Sequence, residues 1–152
     1  VVHLTHGGRS VLVMGLFTTI DHVGVAVVDL DEAIAWYRDR FDMEVVHQEI
    51  NEEQGVREAM LRVSGDDTGA TVQLLAPSRA DSPLTTYLDE NGPGLQQLAF
   101  RVDDVEETAH MLRARGMRLL YDHAQRGTAG ALINFVHPKD AGGVLVELVQ
   151  VR

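Results

Sequence analysis

The stretch TIDHVGVAVVDLDEA, residues 19–33, returns as GLQQLAFRVDDVEET, residues 94–108, at an offset of 75. The overlay sets His22 against Gln97, Val27 against Val102, Asp29 against Asp104 and Glu32 against Glu107. In each copy an alternating strand runs into a helix. The D-x-x-E spacing marks the helix start, the first side chain capping a backbone N–H and the second reaching back. Leu30, Ala33, Ile34, Tyr37 and Phe41 then share one helical face, as do Val105, Thr108, Ala109 and Leu112. Each helix is therefore expected to lie on a sheet.

Three further strands are expected after each helix. In the first copy they are residues 43–50, 55–63 and 70–77; in the second, 117–123, 130–138 and 142–151. The order is βαβββ twice, an α+β fold of two paired modules, 19–80 and 94–152. The segment 81–93 joins them as a short helix ending in a Gly/Pro turn. Either half alone has about 60 residues and a bare sheet face, so 19–152 reads as a single domain. Residues 1–18 read as a flexible leader, with Met14 as a natural start.

Alternation along the strands separates the faces. Val23, Val25 and Val27 oppose His22, Gly24 and Ala26, and Leu98, Phe100 and Val102 oppose Gln97, Ala99 and Arg101. In the closing strands Val72 and Leu74 oppose Gln73, and Val146 and Leu148 oppose Glu147. Gln73 and Glu147 are again equivalent, at an offset of 74. Singly, each polar residue reads as a wet position on a sheet face. Together, a pseudo-twofold axis brings His22, Gln73, Gln97 and Glu147 into one cleft, where an imidazole nitrogen and three oxygens suit a divalent metal.

Composition narrows the chemistry further. There is no cysteine, hence no thiolate ligand, thiol nucleophile or disulfide, which fits a cytoplasmic protein. A net charge of −10 excludes a general nucleic-acid binder. The apolar run VLVMGLF, residues 11–17, is far short of the roughly 20 residues that span a bilayer.

The paired modules and ligand slots, with the segments IDHVGVAV, NEEQGVREAML, VQLLAP and RGTAGALINFVHPKDAGGVLVEL, resemble the vicinal oxygen chelate (glyoxalase-like) superfamily, in particular its methylmalonyl-CoA epimerase family. The resemblance covers residues 19–150. It implies a half-barrel cleft, His22, Gln73, Gln97 and Glu147 as metal ligands, and Glu58 and Glu147 as catalytic bases. The implied cofactor is a divalent ion, Co²⁺, Mn²⁺ or Zn²⁺. The implied partners are an acyl-CoA substrate and a second copy of the chain, with neither nucleic acid nor membrane. Members of that family usually carry His-His where this chain has Gln96-Gln97.

The implied reaction interconverts (R)- and (S)-methylmalonyl-CoA. It removes a weakly acidic α-proton and returns one on the other face, a task for two bases on opposite sides. A metal chelating the thioester oxygen and the carboxylate stabilises the enolate. Glu58 has apolar same-parity neighbours, Val56 and Met60, so burial should raise its pKa. His47 and His137 stand at strand ends and are read equally as cleft residues or satisfied polar groups; His110 is read as exposed. Lys139, the only lysine, and Arg126 are loop cations suited to CoA phosphates or simply solvated.

Three other readings stand beside this one. An extradiol dioxygenase needs two histidines and a carboxylate, and here one slot is His. A glyoxalase-type lyase leaves NEEQGVREAML unexplained. A metal-free binding protein of the resistance type draws some weight from Gln97.

Overall fold

The computed structural model describes residues 2–6, 9–13 and 15–152. Met14 lies outside them. At the start of the chain β1 (Val2–His6) and β2 (Arg9–Val13) pair as a separate antiparallel hairpin. Leu16 and Phe17 pack onto the main body, and the Phe17 ring stacks on Phe100 at 4.4 Å.

The body is one curled eight-stranded sheet. Its elements are β3 (Thr19–Ala26), α1 (Leu30–Phe41), β4 (Met43–Asn51), β5 (Val56–Val63), β6 (Thr71–Pro77), α2 (Pro83–Asn91), β7 (Gly94–Arg101), α3 (Val105–Ala114), β8 (Gln125–Arg126), β9 (Leu132–Val136) and β10 (Leu145–Gln150). The strand order is β4-β5-β6-β3-β7-β10-β9-β8. β3 and β7, the first strands of the two copies, meet antiparallel at the centre. Each is flanked by the parallel last strand of its own module, β6 or β10. This arrangement gives the half-barrel its internal symmetry.

The aspartate half of the capping signal works in both copies. Asp29 accepts from the backbone N–H of Glu32, and Asp104 from that of Glu107, each at 2.9 Å. α1 buries Leu30 and Ile34 against Leu61, Leu74 and Ala76. α3 buries Val105 and Leu112 against Val102, Val136 and Leu148. Truncating one such core leucine to alanine costs about 2–5 kcal/mol, because the cavity closes only in part. Phe41, expected on the buried face of α1, is exposed at the helix end and packs edge-on against Trp36 and Tyr37. The other sheet face faces the cleft. At one end α2 covers it, placing Leu84 on Ala26, Val56 and Leu75.

One expected strand is missing. Residues 117–123 form no ladder with β9 beyond one bridge from Leu119 to Val136, and true pairing resumes at β8. The fully buried Asn134 explains the interruption. Its side-chain amide accepts from the N–H of Tyr121 and donates to the C=O of the same residue. Arg113 donates to the carbonyls of Tyr121 and Asp122, and Glu106 accepts from the N–H of Ala124. Side chains thus satisfy backbone groups that a ladder would otherwise pair.

Candidate active site

His22, Gln73, Gln97 and Glu147 meet at the seam between the two halves, on neighbouring strands β6, β3, β7 and β10. The Nε2 of Gln97 lies 2.8 Å from Glu147 Oε2, 2.9 Å from Gln73 Oε1 and 3.3 Å from His22 Nε2. His22 Nε2 is itself 3.0 Å from Glu147 Oε2. Three acceptor-capable atoms therefore surround one small volume, filled by an amide NH₂ group. Gly24 makes room for it, since a Cβ there would stand 2.3 Å from Gln97 Cγ. Any larger residue at position 24 would displace the Gln97 side chain.

His22 is buried and held from both ring nitrogens. Its Nδ1 pairs at 2.8 Å with Asp21 Oδ1, and Arg101 donates to the other oxygen of Asp21. Burial opposes charge on the ring, but the hydrogen bonds to Asp21 and Glu147 outweigh it and raise the pKa from 6.5 to about 9. Burial also works against the Asp21 carboxylate, yet His22 and Arg101 hold its pKa below the usual value.

Beside this group lies Glu58, only 2% exposed. Gln73 Nε2 donates to its Oε2 at 2.9 Å, and the Thr128 hydroxyl donates to its Oε1 at 2.8 Å. Gln73 also donates to Thr128 at 2.9 Å. Burial pushes the Glu58 carboxyl up from 4.5 to about 7, with Thr128 pulling down and the carboxylates of Glu49 and Glu147 adding to the rise. Glu58 is thus a carboxyl poised near neutrality in a dry, oriented setting, as a general base requires. Thr128 belongs to a short 3-10 turn in which Ala129 has φ 53. That left-handed backbone is unfavourable for alanine, and it aims the Ala129 N–H at Glu49 Oε2, 3.0 Å away.

Two cavities open on the group. One of about 170 Å³ is lined by His22, Met60, Thr128, Ala131 and Glu147. The other, of about 420 Å³, is lined by Gln97, Tyr87, Tyr121, Phe135 and Leu145. The second shares Gln96, Gln97 and Leu145 with an apolar cavity of about 590 Å³ at Leu95 and Val144.

The description of the glyoxalase/bleomycin resistance protein/dioxygenase superfamily matches residues 21–135. A solved methylmalonyl-CoA epimerase from Mycobacterium tuberculosis is 53% identical, superposes with a TM-score of 0.87 and shares 93% of each chain. The chain belongs to this superfamily, among its methylmalonyl-CoA epimerases. The mitochondrial methylmalonyl-CoA epimerase of Mus musculus is 36% identical over 132 residues, 86% of this chain and 72% of the mouse protein. Another solved methylmalonyl-CoA epimerase, in complex with methylmalonyl-CoA and NH4+, is 47% identical with a TM-score of 0.83, over 88% of this chain and 94% of that one.

For an epimerase of this family, the residues singled out in the sequence gather closely: His22, Gln73, Gln97, Glu147 and Glu58 form one hydrogen-bonded network. Among the described residues, no three His, Cys, Asp or Glu side chains gather as a metal cluster. The set here has two such groups, His22 and Glu147, completed by two amides. Other candidates lie elsewhere. His137 caps the N–H of Lys139, His110 is exposed, and Arg126 lines a pocket rimmed by Glu49, Glu52 and Glu53, poor company for a phosphate. Among the described residues no helix is long and apolar enough to cross a membrane.

Sequence reasoning missed Thr128, Asp21 and Gly24 as parts of this site. Strict alternation would send Asp21 and His22 to opposite faces, but β3 carries a register shift between Ile20 and His22, and a bulge re-aims a side chain. The available signal for Thr128 was only its place in a Gly-flanked turn.

Proposed function

We propose that this chain epimerises methylmalonyl-CoA by two-base transfer of the α-proton. The observation that carries the reading is the dry, oriented Glu58 beside a cleft that also receives Glu147 from the opposite half. Glu58 removes the proton from one face of the α-carbon and Glu147 returns one on the other. Gln73 and Thr128 fix the Glu58 oxygens throughout. The chain of cavities past Gln97 and Leu145 receives the CoA arm. A cytoplasmic homodimer belongs to the same reading.

The donor set fits a divalent ion. His22 Nε2, Gln73 Oε1 and Glu147 Oε2 already surround one point, and a half-turn of the Gln97 amide would offer its oxygen as a fourth ligand. Co²⁺, Mn²⁺ or Zn²⁺ bound there would supply Lewis acidity toward the thioester oxygen. With one imidazole and three oxygens, the set leans to harder ions than a two-histidine site would.

The test is deuterium wash-in from heavy water into the α-position of methylmalonyl-CoA, with and without chelator. Incorporation that the chelator suppresses and added metal restores supports the reading. No incorporation into either epimer would overturn it.

A further inference from the structure

Three buried side-chain polar atoms among the described residues have no hydrogen-bond partner in the protein: Gln54 Nε2, Ser78 Oγ and Gln96 Oε1. A polar group withdrawn from water and left unpaired costs stability, so each calls for a reason. Gln54 and Gln96 share one. They come from different modules, yet both line the cavity of about 420 Å³ that reaches Gln97, whereas Ser78 does not. Each is brought there by a local irregularity. β3 pairs Gly24 with Gln97 and Val25 with Leu95, so Gln96 is the extra residue of a bulge in β7. Strict alternation would send Gln96 and Gln97 to opposite faces, and the bulge lets both line one cavity. Gln54 lies in the turn between β4 and β5, where its N–H donates to Asn51 Oδ1 at 3.1 Å. Arg79 clamps that turn. Its guanidinium lies so close over Gly55 that a Cβ there would stand 2.7 Å from Cζ, and it donates to the Glu52 carbonyl at 2.6 Å.

We propose that Gln54 and Gln96 are specificity residues that hydrogen-bond the secondary amide nearest the thioester sulfur of the acyl-CoA arm. The inference rests on the acyl-CoA reading above and adds to it the group by which the arm is recognised. An unpaired N–H of Gln54 needs an acceptor, and the unpaired oxygen of Gln96 needs a donor. A phosphate or carboxylate offers acceptors alone and an ammonium donors alone; a secondary amide offers one of each. In the arm of an acyl-CoA the first polar group beyond the sulfur is such an amide, two carbons away. Tyr121, Phe135 and Leu145 give the same cavity apolar walls for the methylenes beside it. A few placed polar groups in an apolar lining fix the register of a ligand, and here that register sets the acyl group against Gln97, the chain neighbour of Gln96.

The test compares two methylmalonyl thioesters, that of N-acetylcysteamine, which keeps this one amide, and that of pentanethiol, equal in length with neither N–H nor C=O. The readout is the ratio of their kcat/KM values for epimerisation. In the wild-type protein the amide thioester is expected to be favoured by about a hundredfold, and Gln54→Leu and Gln96→Leu should each cut that ratio by about tenfold. Because the two atoms are unpaired in the free protein, leucine of similar size should leave thermal stability level or raised. A wild-type protein that treats the two thioesters alike, or a variant that keeps the ratio within about twofold of wild type, would overturn the pair while leaving the epimerase reading intact. So would a variant that loses stability and slows both thioesters equally, since that is a structural role. A wild-type protein that does not epimerise methylmalonyl-CoA would overturn that reading and the inference with it.

Discussion

The two halves of the sheet share an architecture and divide the chemistry unequally. The strand pairings set Gln73 opposite Met60 and Glu147 opposite Phe135, and one step along they set Leu75 opposite Glu58 and Val149 opposite Ile133. The second-half counterpart of Glu58 is therefore Ile133, buried among Ala99, Ala131, Phe135 and Val149. Likewise His22 answers to Gln97, and Gln73 to Glu147. The repeated backbone brings four strands to one seam, and substitutions within it make the two sides different. A symmetric cleft would offer two identical environments. This one puts a dry carboxyl held by an amide and a hydroxyl beside a carboxylate held by an imidazole and an amide.

Removing the unpaired feature should have the largest effect. Glu58→Gln is expected to lower α-proton exchange by at least about a hundredfold while metal content, read by elemental analysis, stays unchanged. Loss of metal together with activity would reassign Glu58 to the ligand set.

Restoring the symmetry should fail. Ile133→Glu places a second carboxyl at the equivalent position, in an apolar cluster. It is expected to destabilise the fold by about 3 kcal/mol or more, measured by denaturant unfolding at pH 8. A cost below about 1 kcal/mol would mean that the cleft face of the second half is wetter than its packing implies.

The pH dependence follows from the Glu58 shift. A base that ionises at about 7 makes kcat/KM fall tenfold per pH unit below about 7. Stability runs the other way. The folded carboxyl keeps its proton up to about 7, whereas the unfolded one releases it near 4.5. The folded state therefore binds more protons across that window, and its stability falls as pH rises through it, by a total on the order of 3 kcal/mol. Glu58→Gln should flatten both curves. A wild-type stability profile that is level between pH 4.5 and 7 would contradict the burial argument.

The smallest effect belongs to the His/Gln pair. Gln97→His, which makes position 97 match position 22, should tighten Co²⁺ or Zn²⁺ about tenfold, roughly 1.4 kcal/mol, by competition with a chelating dye. The gain should vanish in a His22→Ala background. Unchanged affinity would leave Gln97 as a cleft residue that contacts substrate rather than metal.

Much of this was legible before any coordinates. The offset repeat identified two modules, the D-x-x-E pairs marked both helix starts, and alternation put His22, Gln73, Gln97 and Glu147 on the cleft side. These are local properties: side-chain period and cap chemistry depend on neighbours a few residues away. Tertiary structure decided what local period cannot express. The bulge in β3 turned Asp21 to the same side as His22. The buried amide of Asn134 interrupted the expected strand 117–123. The β4–β5 register set Glu49 against Glu58, and a turn 70 residues from Glu58 delivered Thr128 to it. Each depends on register and on hydrogen bonds between groups distant in sequence. A single residue of slip would have turned those side chains to the other face.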